Sequence, residues 1–334
     1  MLKTIKRLKW LFAFLIIFLF LIFLFSRGYI YPQDELIYGV TFSEKQALGL
    51  GLDPREVYVS ILDDLKVRRL RLAAYWDEVE PKKDKYDWEF LDWIINEAAE
   101  RDTEIILAVG GRLPRWPECH FPVWAEKLSR LTREKEISDY IAAVISRYSE
   151  IPQIVAWQVE NEPFLPNFGE CPDLSEEFLN QEIQLVKALD QRPILLTDSG
   201  ELSLWVPVAR RADIFGTTMY RDTYSKALDR YIHYPIEPGF FRFKKNITRL
   251  FTRPEKWLVI ELQAEPWGPV PFQELSKDER DRTMNLEKFK EIIEFSHQTG
   301  FREFYLWGVE WWYWEKEVNG DSSLWNEARG LFIE

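Results

Sequence analysis

Histidine is scarce in this 334-residue chain, which holds only His120, His233 and His297. A histidine-rich metal site is hard to build from three scattered rings, and the sequence carries neither a glycine-rich phosphate loop nor a metal-ligand cluster. No metal and no cofactor are expected. Cysteine is rarer still, at Cys119 and Cys171. One such pair in an exported domain is compatible with a disulfide, which would contribute about 4 kcal/mol in the chain-entropy model. Two free buried thiols are the ordinary alternative. With His120 the two form no recognisable zinc set. Basic residues are also in short supply, 43 Lys and Arg against 55 Asp and Glu, for a formal net charge of -12. The first 33 residues hold five of the cations and no acid, so the remainder carries -12 less those five, or -17. A surface so acidic repels nucleic acid and anionic lipid and accepts a neutral partner more readily.

Long apolar runs are lacking, with one exception. Trp10 to Phe25 is uncharged, preceded by Lys3, Lys6, Arg7 and Lys9 and followed by Ser26-Arg27-Gly28. This is the pattern of an export signal or a membrane anchor. The run is short against the roughly 20 residues that span a bilayer comfortably, although Trp10 and the flanking cations reach the interfaces. No Ala-x-Ala cleavage site follows it. The expectation is therefore an uncleaved transmembrane helix over residues 10–25, within an anchoring segment 1–30, with the basic end cytoplasmic and the rest of the chain outside. Secretion after signal cleavage is the alternative. Oligomeric state is not readable.

What the chain does have is hydrophobic content of 46%, enough for one large core, and 16% aromatics including 15 tryptophans. From Glu35 onward, strand-like apolar runs alternate with amphipathic segments, the pattern of an α/β fold closed as a (β/α)8 barrel over residues 35–334. The candidate strands are Leu36 to Phe42, Val67 to Tyr75, Glu104 to Gly110, the run from Ile154, Ile194 to Thr197, Ile214 to Met219, Trp257 to Ile260 and Phe304 to Trp307. Arg112 to Pro122 is too proline-rich for regular structure and should wall a cleft, with Trp116 and His120 either lining it or packing inside the loop. A long insertion from about Arg221 to Pro238, carrying Tyr224, Tyr231, His233 and Tyr234, would form a second wall or a lid.

The most informative stretch is Ile154 to Pro163, Ile-Val-Ala-Trp-Gln-Val-Glu-Asn-Glu-Pro. Pro163 cannot donate to a ladder, so a strand here must deliver Asn161 and Glu162 at its carboxyl end, where a parallel barrel keeps its chemistry. The stretch resembles the fourth-strand motif of the clan A glycoside hydrolases, the (β/α)8 retaining enzymes that include cellulases, mannanases and β-galactosidases. Trp76-Asp77-Glu78-Val79-Glu80-Pro81 and Tyr86-Asp87-Trp88 resemble the same clan, although Glu80 reads more simply as a residue that fixes its loop. The resemblance covers about residues 35 to 334 and leaves the individual family unassigned.

It implies a pair of catalytic carboxyls. Glu162 would be the general acid and base, and Glu261, which emerges from the apolar run at the seventh strand, the nucleophile. Glu160 and Glu265 are their respective rivals. Arg71 would lie beneath the nucleophile, with Arg69 on the same strand face as a competitor. Tyr220 would donate to the nucleophile and Asn161 would bind the sugar 2-hydroxyl. Trp307 would form a platform under the sugar, with Trp311 as its competitor, and Glu265 and Trp267 would line the cleft. The function implied is retaining hydrolysis of β-glycosidic bonds in a poly- or oligosaccharide, with endo action favoured because aromatic loops flank the cleft on several sides. Exo action or transglycosylation on the same site is the nearest alternative. A membrane-tethered, non-catalytic carbohydrate-binding barrel is the rival from another class.

Overall fold

A computed structural model describes residues 2–166 and 168–332, leaving aside the side chains of residues 2–6, 8, 9, 13, 17–19 and 21. The strands are β1 (Ile37–Thr41), β2 (Arg69–Ala73), β3 (Glu104–Val109), β4 (Ile154–Val159), β5 (Ile194–Asp198), β6 (Ile214–Met219), β7 (Asp222–Ser225), β8 (Arg230–His233), β9 (Lys256–Gln263) and β10 (Glu303–Trp307). All except β7 and β8 join one closed barrel in the order β1-β10-β9-β6-β5-β4-β3-β2. The pairing is parallel throughout and closes through β1, where Thr41 stands beside Trp307 on one side and Arg71 on the other. The alternation read from the sequence is thus realised as an eight-stranded parallel barrel, which is the geometry that gathers strand ends at one mouth.

Parallel strands covered on both faces are apolar throughout, and here the two faces form separate cores. Ile106, Ala156, Leu195, Leu258, Ile260 and Tyr305 cluster in the barrel interior. Outward-facing residues such as Ile105, Leu107, Trp157, Leu196 and Phe304 pack against the surrounding helices in a second, larger cluster. Several helices start where a polar side chain takes one of the free amides of the first turn. Ser129 caps Arg130–Tyr148, Ser175 caps Glu176–Leu189 and Asn285 caps Leu286–His297. Each such cap contributes about 1 kcal/mol.

Two expectations need correction. The seventh barrel strand is longer than Trp257 to Ile260: it runs through Gln263, so Glu261 lies within a paired strand rather than just past it. The insertion after Tyr220, expected as a second wall or a lid, is more regular than its length suggested. It forms the antiparallel hairpin β7-β8, pairing Asp222 with His233 and Ser225 with Arg230, and leads into the helix Pro238–Arg249.

The transmembrane helix expected over residues 10–25 is a third correction. Among the described residues, no helix is long and apolar enough to cross a membrane. The backbone is helical from Leu2 to Ser26. The uncharged part alone, at 1.5 Å per residue, rises about 24 Å against a hydrocarbon core of about 30 Å. The side chains of Lys3, Lys6 and Lys9, which entered that reading, lie outside the described residues. The end of this helix rests on Pro238–Arg249: Arg242 Nε donates to the Ser26 carbonyl (2.7 Å), and Asn246 Nδ2 donates to those of Phe25 and Arg27 (2.9 Å each). The Asn246-Ile247-Thr248 sequon therefore has its amide nitrogen in use.

Candidate active site

At the mouth of the barrel, Arg71 organises the site. Its guanidinium is fully buried and donates from three nitrogens: Nε to Gln158 Oε1 (2.8 Å), Nη1 to Glu261 Oε1 (2.7 Å) and Nη2 to Asn161 Oδ1 (2.6 Å). One planar fork thus ties β2, β4 and β9 together across the lumen, a task that a lysine point charge cannot perform. Arg69 is half-buried two residues earlier and pairs with Glu104 (2.9 Å), so the rivalry between the two arginines resolves by position along β2.

Glu261 receives a second donor on its other oxygen, the Tyr220 hydroxyl (2.8 Å). Two donors, one of them a buried cation, thus converge on its two oxygens. Burial pushes the Tyr220 phenol well above its ordinary range, and Glu261 adds to the shift, so Tyr220 remains a proton donor.

Glu162 is treated in the opposite way. Its backbone sits at φ 43° just past β4, with its amide donating to Thr197 Oγ1 (2.8 Å). No hydrogen bond to its carboxyl occurs among the described residues. Burial first, then the charges of Glu261, Glu118 and Asp198, raise its pKa well above the usual carboxylate range; Arg112 offsets part of this. The arrangement sets a carboxyl that burial and like charge favour in its protonated form beside one whose two oxygens accept from Arg71 and Tyr220, a contrast suited to paired acid and nucleophile chemistry.

The rival acids have hydrogen-bond partners of their own. Glu160 accepts from the amides of Gly111 (2.7 Å) and Arg112 (2.5 Å), anchoring the loop after β3. Glu265 accepts from Arg115 Nη1 (2.5 Å) and Trp307 Nε1 (2.8 Å). Glu80 holds its own loop through Trp76 Nε1 (2.8 Å) and the Asp84 amide (2.7 Å).

Of the aromatic candidates, Trp307 ends β10 with the Arg115 guanidinium 4.0 Å from its ring centre, so one ring face is already covered. Trp311 is buried in the helix Val309–Val318, where its indole nitrogen donates to Glu315 and its ring packs edge-on against Phe272. Trp267 lies edge-on to Tyr220 at 5.4 Å, and its indole nitrogen is buried with no partner among the described residues. Trp116 is half exposed and pairs edge-on with Phe168, while Lys226 of the β7-β8 turn stands 4.8 Å from its ring centre. His120 packs on Tyr75 inside the loop, and burial lowers its pKa to about 4.

Sequence reasoning missed several residues. Gln158 was detectable in principle, as a polar side chain inside an otherwise apolar strand. Glu118, Arg112, Arg115 and Thr197 carry no such signal, because the first three sit in an irregular loop and Thr197 is an ordinary strand residue. The structure also joins Cys119 to Cys171 in a disulfide with Cα atoms 5.3 Å apart, linking the loops after β3 and β4.

Residues 73–181 match Glycosyl hydrolase family 10, a span that includes the β3 loop, Asn161 and Glu162 but not Glu261. No curated protein matches the chain. Among solved structures, a glycosylated endo-beta-1,4-xylanase from Gloeophyllum trabeum is similar at a TM-score of 0.55 and 14% identity, covering 81% of this chain and 84% of that one. Xylanase 10B from Thermotoga petrophila RKU-1, in complex with xylobiose, gives 0.53 and 15% over 84% and 87%. A GH10 endoxylanase from a sugarcane soil metagenome gives 0.54 and 15% over 83% and 87%. At such identities the likeness concerns the fold. With the family match beside it, the chain is a (β/α)8 glycosidase of the clan A type, a hydrolase acting on O-glycosyl bonds.

Proposed function

We propose that this barrel cleaves internal β-linkages of a polysaccharide with retention of configuration, using Glu261 as nucleophile and Glu162 as general acid and base. The observation that carries the reading is the contrast between the two carboxyls: Glu261 is held by Arg71 and Tyr220, whereas Glu162 is buried and surrounded by negative charge.

In the first step a Glu261 oxygen attacks the anomeric carbon while the Glu162 proton passes to the leaving oxygen, giving a glycosyl ester on Glu261 and an ionised Glu162. In the second, Glu162 takes a proton from water, the water oxygen attacks the anomeric carbon, and the ester bond to Glu261 breaks. Asn161, fixed by Arg71, is positioned to hydrogen-bond the sugar as charge develops at the reacting centre. Trp307 offers its free face to the ring, and Trp267 offers an unpaired N–H. Endo action is supported by the half-exposed Trp116 of the loop after β3, which adds an exposed aromatic surface beyond the buried carboxyls. β-1,4-Xylan is the first polymer to test, because the similar solved structures are xylanases.

The test is proton NMR of the first product formed from a soluble β-glycan, with product lengths followed alongside. The β-anomer appearing first, among oligosaccharides of mixed length, supports the reading. The α-anomer would exclude retention, and release of monosaccharide alone would exclude endo action. We further propose that residues 1–30 export a catalytic unit of residues 35–334. A mature amino terminus near Tyr29 supports cleavage, and an intact Met1 would return the segment to an anchor.

A further inference from the structure

Glu118 is a third carboxyl at the catalytic centre, and neither general acid nor nucleophile chemistry uses it. It lies in the proline-rich loop after β3, 4% exposed, and its Oε2 accepts from Asn161 Nδ2 at 2.9 Å. Arg112 Nε stands 3.9 Å away, too far for a hydrogen bond. The residue is held in place from several sides. Its backbone is left-handed at φ 75°, its amide donates to the Arg115 carbonyl (2.8 Å), and its carbonyl accepts from Leu113 (2.7 Å). The next residue, Cys119, is bonded to Cys171. A Cβ at Gly169 would lie 2.8 Å from the Glu118 Cβ, so the two loops touch at the base of this side chain. A non-glycine residue in the left-handed region is strained, and such strain clusters at functional sites, where a side chain must be aimed.

The direction of aim follows from the partners. Asn161 Oδ1 is taken by Arg71, which also holds Glu261, so the Glu118 carboxyl joins the same network from the opposite side of the amide. Burial first, and then the Glu261 charge, raise the Glu118 pKa to about 8, while the Asn161 hydrogen bond offsets part of the shift. When a sugar presents its anomeric carbon to Glu261, the two ring atoms beside that carbon are the ring oxygen and C2, and only C2 carries a hydrogen-bond donor.

We propose that Glu118 is a specificity-determining residue whose second carboxyl oxygen hydrogen-bonds the 2-hydroxyl of the sugar at the cleavage point, selecting glycans with that hydroxyl free. The assignment rests on the glycosidase reading of this site. A carboxyl complements a hydroxyl in either protonation state, since it donates or accepts as required. A sugar lacking the hydroxyl leaves the buried group unpaired and is rejected for that reason.

The experiment compares the full chain with Glu118→Ala on two pairs of ligands: an aryl β-glycoside and its 2-deoxy analogue for turnover, and the corresponding thioglycosides for binding by tryptophan fluorescence. Glu118→Ala should lower kcat/KM and affinity for the 2-hydroxy ligands by about 10-fold to 100-fold and leave the 2-deoxy ligands within about 3-fold. Equal losses on both members of a pair, or none on either, would overturn the proposal by making Glu118 a structural support or a bystander. If alanine prevents folding, Glu118→Ser, which keeps a polar group but falls short of the sugar, carries the same comparison. Hydrolysis with an unchanged 2-hydroxyl preference sinks this proposal alone. Glu118-dependent binding preference without hydrolysis supports it and sinks the catalytic reading.

Discussion

On the proposed mechanism, Glu162 and Glu261 take two roles from one residue type. Both are buried, but Glu261 has an arginine and a tyrosine donor whereas Glu162 has acidic neighbours. Turnover needs the Glu162 proton, so activity should fall as pH rises through its raised pKa. Asp198 is one source of that elevation; its own pKa is about 6, raised mainly by burial, so it is ionised above that pH. Removing its charge makes the ionised form of Glu162 less costly and lowers its pKa. Asp198→Asn should therefore move the alkaline limb of the kcat/KM profile to lower pH, by up to about one pH unit. An unmoved limb would mean that Glu162 is not the group titrating there. At this scale Arg71, Asn161, Glu162, Tyr220 and Glu261 were legible because each sits on or beside a strand, where apolar context marks a polar residue as purposeful. Glu118 and Arg115 were not, because a loop surrounds its polar residues with other polar residues and only the folded chain reveals which ones turn inward.

At the scale of elements, the barrel strands carry the site and the loops fix its aim. The strands could be read from their apolar runs, with errors at the ends: β9 continues through Glu261 because its neighbours β6 and β10 go on pairing, a tertiary effect invisible in one segment. At the end of β3 the sequence pattern ran one residue too far. Gly110 takes φ 133°, and a Cβ there would lie 2.6 Å from the Glu160 carboxyl carbon, so backbone conformation and close packing end the strand. The disulfide closes a separation of 52 residues and clamps the loops that bear Glu118 and Phe168. Cys171→Ser should cost about 4 kcal/mol on the chain-entropy account and lower Tm by several degrees. An unchanged Tm, read by calorimetry without reductant, would mean that barrel packing alone holds these loops.

For the whole molecule, the period of the hydrophobic pattern identified the architecture, because a parallel barrel must alternate buried strands with amphipathic helices. Hydropathy was a poorer guide at the amino terminus. It registers the apolar character of Trp10 to Phe25 but not the contacts by which Phe25 and Ser26 rest on the helix Pro238–Arg249. The acidic excess is consistent with a neutral substrate, and acids at the barrel mouth add to the burial that raises the Glu162 pKa. The central claim is that two carboxyls joined by this barrel cut β-glycosidic bonds. Its most direct test is hydrolysis of a panel of aryl β-glycosides and β-linked polysaccharides by the full chain beside Glu261→Gln. The account predicts turnover of at least one substrate by the parent and a loss of at least about 1000-fold in the variant. Full activity in Glu261→Gln, or a silent parent across the panel, would contradict it.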